Sequence, residues 1–237
     1  NIIGTFNLVQ ALLAHWELMS KNRKNNFRLI HVSTDEVFGS IKEGFLFSEK
    51  TSYDPRSPYS ATKAASDHLV KAWNNTYGFP AIITNSCNNF GPWQYPEKLI
   101  PVIIYNALNS KPIPLYGNGQ NVRDWIYVED HVDALIQVML KGSLGDSYCI
   151  GSRQLKTNEE IVNIVCDCLD LYEKNNAPHI RFKKFVKDRA GHDFRYAIDN
   201  NKIINELKWA PKYDFHEAID YTVKWYLNNQ YFLNISS

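Results

Sequence analysis

Asp35 and Glu36 stand side by side behind Thr34, in the run Ile-His-Val-Ser-Thr-Asp-Glu over residues 30–36. Adjacent carboxyl groups in a low-dielectric site push their pKa values apart, so one can give a proton while its neighbour takes one. Such a pair titrates as a unit, and spacing alone does not say which member is the acid. Tyr59 and Lys63 form a second chemical pair. At i and i+4 they share one helix face, and an ammonium beside a phenol favours phenolate. A tyrosine so tuned can take a proton from an alcohol as hydride leaves its carbon. Plainer readings stand beside both pairs. Thr34 and Asp35 can cap a turn, and among 14 tyrosines one Tyr-x-x-x-Lys spacing arises by chance.

The elements that must position these groups follow from periodicity. Residues 27–32 form an apolar run that predicts a buried strand. Ligands of open parallel sheets sit just beyond the carboxyl ends of strands. Successive strand residues face opposite ways, so Asp35 and Glu36 share a site only if the strand has ended by Asp35. Pro58 opens a helix over 59–77, which Gly78 and Pro80 close. The long 39–58 connection, punctuated by Gly39, Gly44 and Pro55, has the length of a functional or mobile loop.

Upstream, Ile2, Phe6, Val9, Leu13 and Trp16 make a helical stripe, followed by a polar link over 21–26. Downstream, a strand over 81–84 empties into a polar loop over 85–92, and a helix over 99–109 carries Pro101 in its first turn. Extended pieces at 113–116 and 125–128 flank a Gly117–Gly119 turn. A helix over 130–140 presents Val132, Leu135, Ile136 and Met139 on one face, and a strand follows at 147–150. Thr157 and Glu160 make a capping box for a helix with Ile161, Ile164, Val165, Cys168 and Leu169 inward. A strand over 180–186, a polar loop over 188–193 and a last helix from Asp214 complete the chain, with a loose tail after Asn228. Alternating strands and helices predict an α/β fold, a Rossmann-like doubly wound parallel sheet with a smaller C-terminal α/β substrate-binding lobe. Residues 1–95 read as part of the dinucleotide domain, to which later segments return, and 96–237 mainly as the second lobe.

The 237 residues are 44% hydrophobic with a formal net charge of +1, enough for a sizeable core and without the basic block that nucleic acid or an anionic membrane would select. No apolar run approaches the ~20 residues of a spanning helix. Cys166 and Cys168 lie two apart on a helix and make a poor metal pair. Buried reduced thiols in a cytoplasmic protein is the expectation for all four cysteines. The chain opens at Asn1 directly into a helix, with no strand before it to pair with residues 27–32, and reads as cut from something longer.

Six segments then stand in a telling order: Ser33-Thr-Asp-Glu-Val-Phe-Gly39, Ser57-Pro-Tyr-Ser-Ala-Thr-Lys63, Asn88-Asn-Phe-Gly-Pro92, Pro96-Glu-Lys-Leu-Ile-Pro101, Arg123-Asp-Trp-Ile-Tyr-Val-Glu-Asp-His131 and Asp188-Arg-Ala-Gly-His-Asp193. In this order the chain resembles the dTDP-glucose 4,6-dehydratases of the extended short-chain dehydrogenase/reductase superfamily. The resemblance runs over nearly the whole chain. Tyr-x-x-x-Lys marks only the superfamily, whereas Asp-Glu after Thr separates these dehydratases from the related epimerases. Departures are the absent glycine-rich first βα turn, about three βα units in all at ~30 residues each, Ala190 for a proline, and Phe38 and Phe90 for tyrosines.

The resemblance implies NAD as a bound cofactor, a dTDP-glucose substrate, no metal and a homodimer formed through the helices at 1–19 and 59–77. It implies catalytic roles for Thr34, Asp35, Glu36, Tyr59 and Lys63, with Asp35 as acid and Glu36 as base. It places Ser33, Tyr59, Lys63 and Asn89 on the cofactor. It places Thr34, Asn88, Lys98, Leu99, Pro114, Leu115, Tyr116, Arg123, Asn158, Asp188, Arg189 and His192 on the nucleotide sugar. Guanidinium forks at Arg123 and Arg189 suit diphosphate oxygens. Three alternatives remain open: UDP-glucose as substrate of the same reaction, a catalytically silent nucleotide-sugar binder, and a piece of an enzyme that cannot hold NAD by itself.

Overall fold

The computed structural model describes residues 1–233. Helix α1 (Ile2–Glu17) precedes a short helix α2 (Lys21–Asn26), where a polar link is expected. No α2 side chain is buried, so no apolar periodicity announces it. Strand β1 (Leu29–Thr34) leads through the long connection to α3 (Pro58–Tyr77). Pro58 sits at the start of α3, inside a reciprocal cap in which Ser57 and Ser60 accept each other's backbone N–H at 3.1 and 3.0 Å. Gly78 closes α3 in the left-handed conformation, φ +64°.

Strand β2 (Ala81–Ser86) is buried throughout, and β3 (Asn88–Phe90) follows. The expected polar loop over 85–92 is thus largely strand. Its polar side chains are spent internally: Asn85 Nδ2 donates to the Thr34 carbonyl at 3.2 Å and Asn89 Nδ2 to the Cys87 carbonyl at 3.1 Å. Next come α4 (Leu99–Leu108), β4 (Ile113–Tyr116), β5 (Val122–Tyr127) and α5 (Val128–Lys141). Then follow β6 (Ser147–Ile150), β7 (Leu155–Thr157), α6 (Asn158–Tyr172) and β8 (Lys183–Val186), the last preceded by a 3-10 turn, His179–Phe182, instead of a longer strand. Helices α7 (Asn201–Leu207), α8 (Phe215–Asn228) and α9 (Gln230–Leu233) finish the described chain. The tail is therefore ordered to Leu233, which is buried; residues 234–237 lie outside the described residues.

Strands β1, β2 and β6 form a parallel sheet in that order, with Thr34 beside Ser86 and Ser86 beside Ile150. The sheet is covered on both faces, as a doubly wound α/β unit requires. Ala81 and Ile83 point to the side of Val9, Leu13 and Val70 on α1 and α3. Ile82, alternating as strand geometry demands, points to the side of Ala134, Val138 and Ile203 on α5 and α7. A separate core gathers α4, α6 and α8 around Ile103, Val165 and Tyr226.

Two amphipathic faces differ from expectation. On α5 the buried side is Asp130, His131, Ala134 and Val138, while Val132, Ile136 and Met139 are exposed. The helix is apolar on two sides and the sheet takes one. On α6, Val162 and Cys166 are buried where Ile164 and Cys168 are only partly covered. All four cysteines are free thiols. The 39–58 connection is pinned along residues 195–199, with Phe47 N–H donating to the Ala197 carbonyl at 2.8 Å and Asp199 N–H to the Phe47 carbonyl at 2.7 Å.

One buried carboxylate ties α3 to the sheet. Asp67 accepts from Ser33 Oγ and Tyr53 Oη at 2.8 Å each, from His31 Nε2 at 3.0 Å and from Asn85 Nδ2 at 3.3 Å. It lies four residues beyond Lys63 and eight beyond Tyr59, on the same side of the helix. Asp67→Ala leaves these donors buried without an acceptor, and the expected cost is about 3 kcal/mol or more in urea unfolding. A loss of a few tenths would show that α3 is held by apolar packing alone.

Candidate active site

Strand β1 ends at Thr34, and the chain turns at once into a 3-10 turn, Asp35–Phe38. Thr34 caps it: its Oγ1 accepts the Glu36 N–H at 3.3 Å. The condition for the acid pair to share a site is met. Both carboxyls line one cleft of about 590 Å³, together with Ser33, Thr34, Tyr59 and Lys63 on one side and Asn88, Asn89, Trp93 and Lys98 on the other.

The two acids differ in environment. Asp35 is 1% exposed; its Oδ1 takes the Thr34 hydroxyl at 3.4 Å and its Oδ2 has no partner. Burial, then the charges of Glu36 and Asp124, push the Asp35 carboxyl well above the ordinary range. Burial also raises Glu36; Arg123 pulls it back, Asp193 pushes it up again, and Arg189 and Lys98 add smaller downward pulls. The upward push is thus stronger on Asp35 than on Glu36.

The phenol behaves otherwise than its spacing implies. Lys63 Nζ donates to the Val32 carbonyl at 2.8 Å. Tyr59 is half-exposed, and burial followed by the charges of Glu36 and Asp35 moves its pKa up, not down. Carboxylates, not the lysine, dominate the field at this hydroxyl.

Residues expected on a nucleotide gather at the far end. Parallel pairing of β4 with β8 sets Tyr116 beside Val186, which feeds the 188–192 loop back against Tyr116. The Arg189 guanidinium lies 5.4 Å above the Tyr116 ring. Asp188 Oδ1 receives the Arg189 N–H at 2.8 Å and contacts His192 Nδ1 at 2.7 Å, which leaves the largely buried His192 ring turned inward. Arg123 is buried, stacked 4.2 Å from the Tyr196 ring, and donates to the carbonyls of Val122, Phe194 and Asp193 at 2.8, 3.2 and 2.8 Å. Asn158 opens α6 with its N–H on the Asn121 carbonyl. Lys98 and Leu99 sit where α4 begins, and Pro114 is partly exposed. Leu115 is core, so its side chain cannot reach a ligand. None of Leu99, Pro114, Tyr116, Arg123, Asn158 or the 188–192 loop lines the 590 Å³ cleft.

A dinucleotide would find partners here only at its nicotinamide-ribose end. Lys63 keeps donors free beyond its bond to Val32, and Asn89 Oδ1 is buried without a partner. Ser33 Oγ is committed to Asp67. The described residues contain no glycine-rich turn between a strand and a helix to cradle a pyrophosphate. Among them no His, Cys, Asp and Glu group could hold a metal, and no helix is long and apolar enough to cross a membrane. Asp67 lies outside every motif, and Asp124 stands inside the 123–131 segment without a role of its own. Asp67 betrays itself only as a charged residue on the apolar side of α3, in register with Tyr59 and Lys63.

A parallel sheet with helices on both faces and Tyr-x-x-x-Lys opposite the end of β1 defines a Rossmann-like short-chain dehydrogenase/reductase fold. Residues 1–222 match the family model described as GDP-mannose 4,6 dehydratase. The chain is 47% identical over 243 residues to the dTDP-glucose 4,6-dehydratase of Salmonella typhimurium, covering 99% of this chain and 67% of that protein. It is 48% identical over 235 residues to that of Haemophilus influenzae, covering 97% and 69%. The Bacillus anthracis dTDP-glucose 4,6-dehydratase, solved with NAD, superposes with a TM-score of 0.83 at 42% identity, over 97% of this chain and 68% of that one. The Streptomyces venezuelae enzyme, also solved with NAD, gives 0.85 at 39%, over 97% and 66%. The chain belongs to the dTDP-glucose 4,6-dehydratase family. It spans about two thirds of the length of these relatives.

The buried acid makes a prediction about stability. The folded chain holds the Asp35 proton to higher pH than the unfolded chain does. This carboxyl therefore supports folding fully below its unfolded pKa and withdraws that support as pH rises toward its folded value. Asp35→Asn is expected to melt higher than the parent near neutral pH, with the gap closing toward about pH 4. Each kcal/mol recovered is worth roughly 2–4 °C. A gap that does not change with pH would show that Asp35 titrates like an exposed aspartate.

Proposed function

We propose that the natural protein dehydrates dTDP-glucose to dTDP-4-keto-6-deoxyglucose. What carries this reading is one cleft lined by the Asp35–Glu36 pair at the end of β1 and by Tyr59 and Lys63 at the start of α3. NAD, when bound, supplies a place for hydride taken from C4, its return at C6 and, in the oxidised form, a positive charge. Tyr59 takes the proton of the C4 hydroxyl, and Thr34 hydrogen-bonds the same oxygen. A positive charge near the phenol opposes the carboxylates that hold its proton in place. The resulting ketone acidifies the C5 proton, which Glu36 removes as general base. Asp35, protonated, gives its proton to the departing C6 hydroxyl, and water leaves. Glu36 then returns a proton to C5.

Around the chemistry, Asn88 and Lys98 hold the sugar and its phosphates, Tyr116 with Pro114 the base, and Arg123, Asn158 and Arg189 the diphosphate, with Leu99, Asp188 and His192 shaping the far end. Asn89, Lys63 and Tyr59 face the cofactor. Residues 1–95 then belong to the dinucleotide side and 96–237 mainly to the nucleotide-sugar side. The 237 residues alone are read as unable to retain NAD, for want of a pyrophosphate cradle.

The test incubates the natural protein with NAD and, separately, dTDP-glucose and UDP-glucose, and follows loss of water by mass. Conversion of dTDP-glucose is expected; preference for UDP-glucose would reassign the base, and conversion of neither would overturn the reading. Asp35→Asn is expected to keep C4 oxidation, seen as nicotinamide absorbance, while elimination slows by about 10²–10⁴-fold. Equal loss of both steps would remove Asp35 from the acid role.

We also propose a homodimer through α1 and α3. The outer face of α1 leaves Ile3 and Leu8 exposed, at 71% and 53%, beside the partly exposed Ile2 and Phe6. Ile3→Glu with Leu8→Glu is expected to yield a folded monomer in sedimentation velocity. A parent chain that already sediments as a monomer would refute the pairing.

A further inference from the structure

Tyr226 is fully buried in the core that gathers α4, α6 and α8. Its hydroxyl serves a different element. Oη donates to the Gln94 carbonyl at 2.8 Å, across 132 residues of sequence, in the turn that leaves β3. A phenylalanine would fill the same core volume, so the hydroxyl answers to the turn and not to packing.

That turn needs holding. Strand β3 is three residues long and lies at the edge of the sheet β3–β5–β7, with β5 on one side and, among the described residues, no strand on the other. Past it, Gly91 has φ +144°, where a Cβ would stand 2.6 Å from Val128 Cγ1, and Trp93 has φ +64°, a left-handed conformation costly to a bulky aromatic. Such a backbone persists only where its surroundings over-determine it. Here the Trp93 ring lies 4.9 Å from Trp225 and 5.2 Å from Phe232, and the Tyr226 hydroxyl holds the next carbonyl. From the turn the bonds run on to Asn89. Gln94 Nε2 donates to the Asn89 carbonyl at 2.7 Å, and Asn89 Nδ2 donates to the Cys87 carbonyl at 3.1 Å. Asn89 keeps Oδ1, buried and unpartnered, as the side-chain acceptor it can still offer, and Gln94 Oε1 is likewise buried without a partner. Asn89 and Gln94 line the cleft of Asp35, Glu36 and Tyr59, and Tyr226 does not.

We propose that Tyr226 and Gln94 are positioning residues for the nicotinamide end of the cofactor, acting by fixing Asn89. This rests on the function proposed above, which sets Asn89 against NAD. Tyr226 itself touches no ligand. Its hydroxyl ties the core of the nucleotide-sugar side to the turn, the turn carries the Gln94 amide, and that amide fixes the Asn89 carbonyl. Without the hydroxyl the turn is free to relax the backbone at Trp93, and Gln94 shifts off Asn89.

Calorimetry on the natural protein freed of cofactor reads the effect, with NAD, ADP-ribose and dTDP titrated one at a time. ADP-ribose keeps both phosphates and both riboses and lacks the nicotinamide. Tyr226→Phe and Gln94→Ala are each expected to weaken NAD about three- to tenfold, while ADP-ribose and dTDP bind as in the parent. The double variant is expected to bind NAD no more weakly than Gln94→Ala, because the hydroxyl acts through that amide. Unchanged dTDP affinity shows that a variant is folded; should Tyr226→Phe not fold, Gln94→Ala decides alone. Unchanged NAD affinity, equal weakening of NAD and ADP-ribose, weakening of dTDP as well, or losses that simply add in the double variant overturn the proposal. A parent that fails to bind NAD or dTDP overturns the functional reading, and the proposal with it.

Discussion

Tyr59 and Lys63 are carried by a helix, whereas Thr34, Asp35 and Glu36 are carried by the end of a strand. The proposed chemistry on one hexose requires these two carriers to be fixed to within fractions of an ångström, and apolar packing tolerates more slippage than that. The Asp67 carboxylate supplies directional bonds instead. It draws donors from β1, from β2 and from the long connection onto a single buried group of α3. Its partner Asn85 also donates to the Thr34 carbonyl, so the same group of bonds reaches the end of β1. A buried carboxylate with satisfied acceptor positions is costly to disrupt and specific in geometry, which suits a joint better than a core methyl group would.

The electrostatics of the cleft follow from where charge is allowed to be buried. Asp35 has almost no contact with water, an unpartnered oxygen and two acidic neighbours, so its pKa is driven well above the ordinary range. Glu36 faces three cations and is freer to ionise. Arg123, the nearest fixed cation, is itself held by three backbone carbonyls and a tyrosine ring. Its orientation is thus set before any ligand arrives, and it polarises Glu36 without closing a salt bridge onto it. A direct Arg–Glu pair would hold the base ionised but bind it too tightly to accept a proton well. Burial first, and then the same carboxylates, make the folded site unfavourable to a Tyr59 phenolate.

Much of this was legible in sequence, and what was not has physical reasons. Pro58, Gly78 and the Thr157–Glu160 box mark helix ends because capping is local chemistry. The end of β1 was readable because apolar character stops there. By contrast, 85–90 looks like a loop since polarity usually means exposure, whereas here it serves internal hydrogen bonds. Val132, Ile136 and Met139 look inward because α5 has two apolar sides and no sequence rule says which one the sheet takes. The shift of Tyr59 could not be read from its spacing to Lys63, since helix geometry brings the residues near but does not choose the lysine's partner, the Val32 carbonyl. Asp67 carries no motif, and its role depends on four residues that meet only in the fold.

The 3-10 turn over Asp35–Phe38 gives two consecutive residues different surroundings, as the proposed division of acid and base work between them requires. Had the strand continued, the side chains would diverge by half a turn, one into the sheet's covered face. An α-helix beginning at Asp35 would spread them by roughly 100°, but would need a longer run of helix-forming residues than Gly39 permits. The tighter turn separates neighbours by roughly 120°. One side chain then sinks beneath the strand end while the next stays at the cleft wall. Burial differs between the two although they share a peptide bond, and together with the cations around Glu36 it leaves the Asp35 pKa pushed further up than that of its neighbour. Thr34 contributes to both ends of this device, capping the turn through Oγ1 and donating to Asp35 through the same hydroxyl. Replacing it by valine would keep the strand and lose both bonds, the cap on the turn and the donor that, against burial, favours the Asp35 carboxylate.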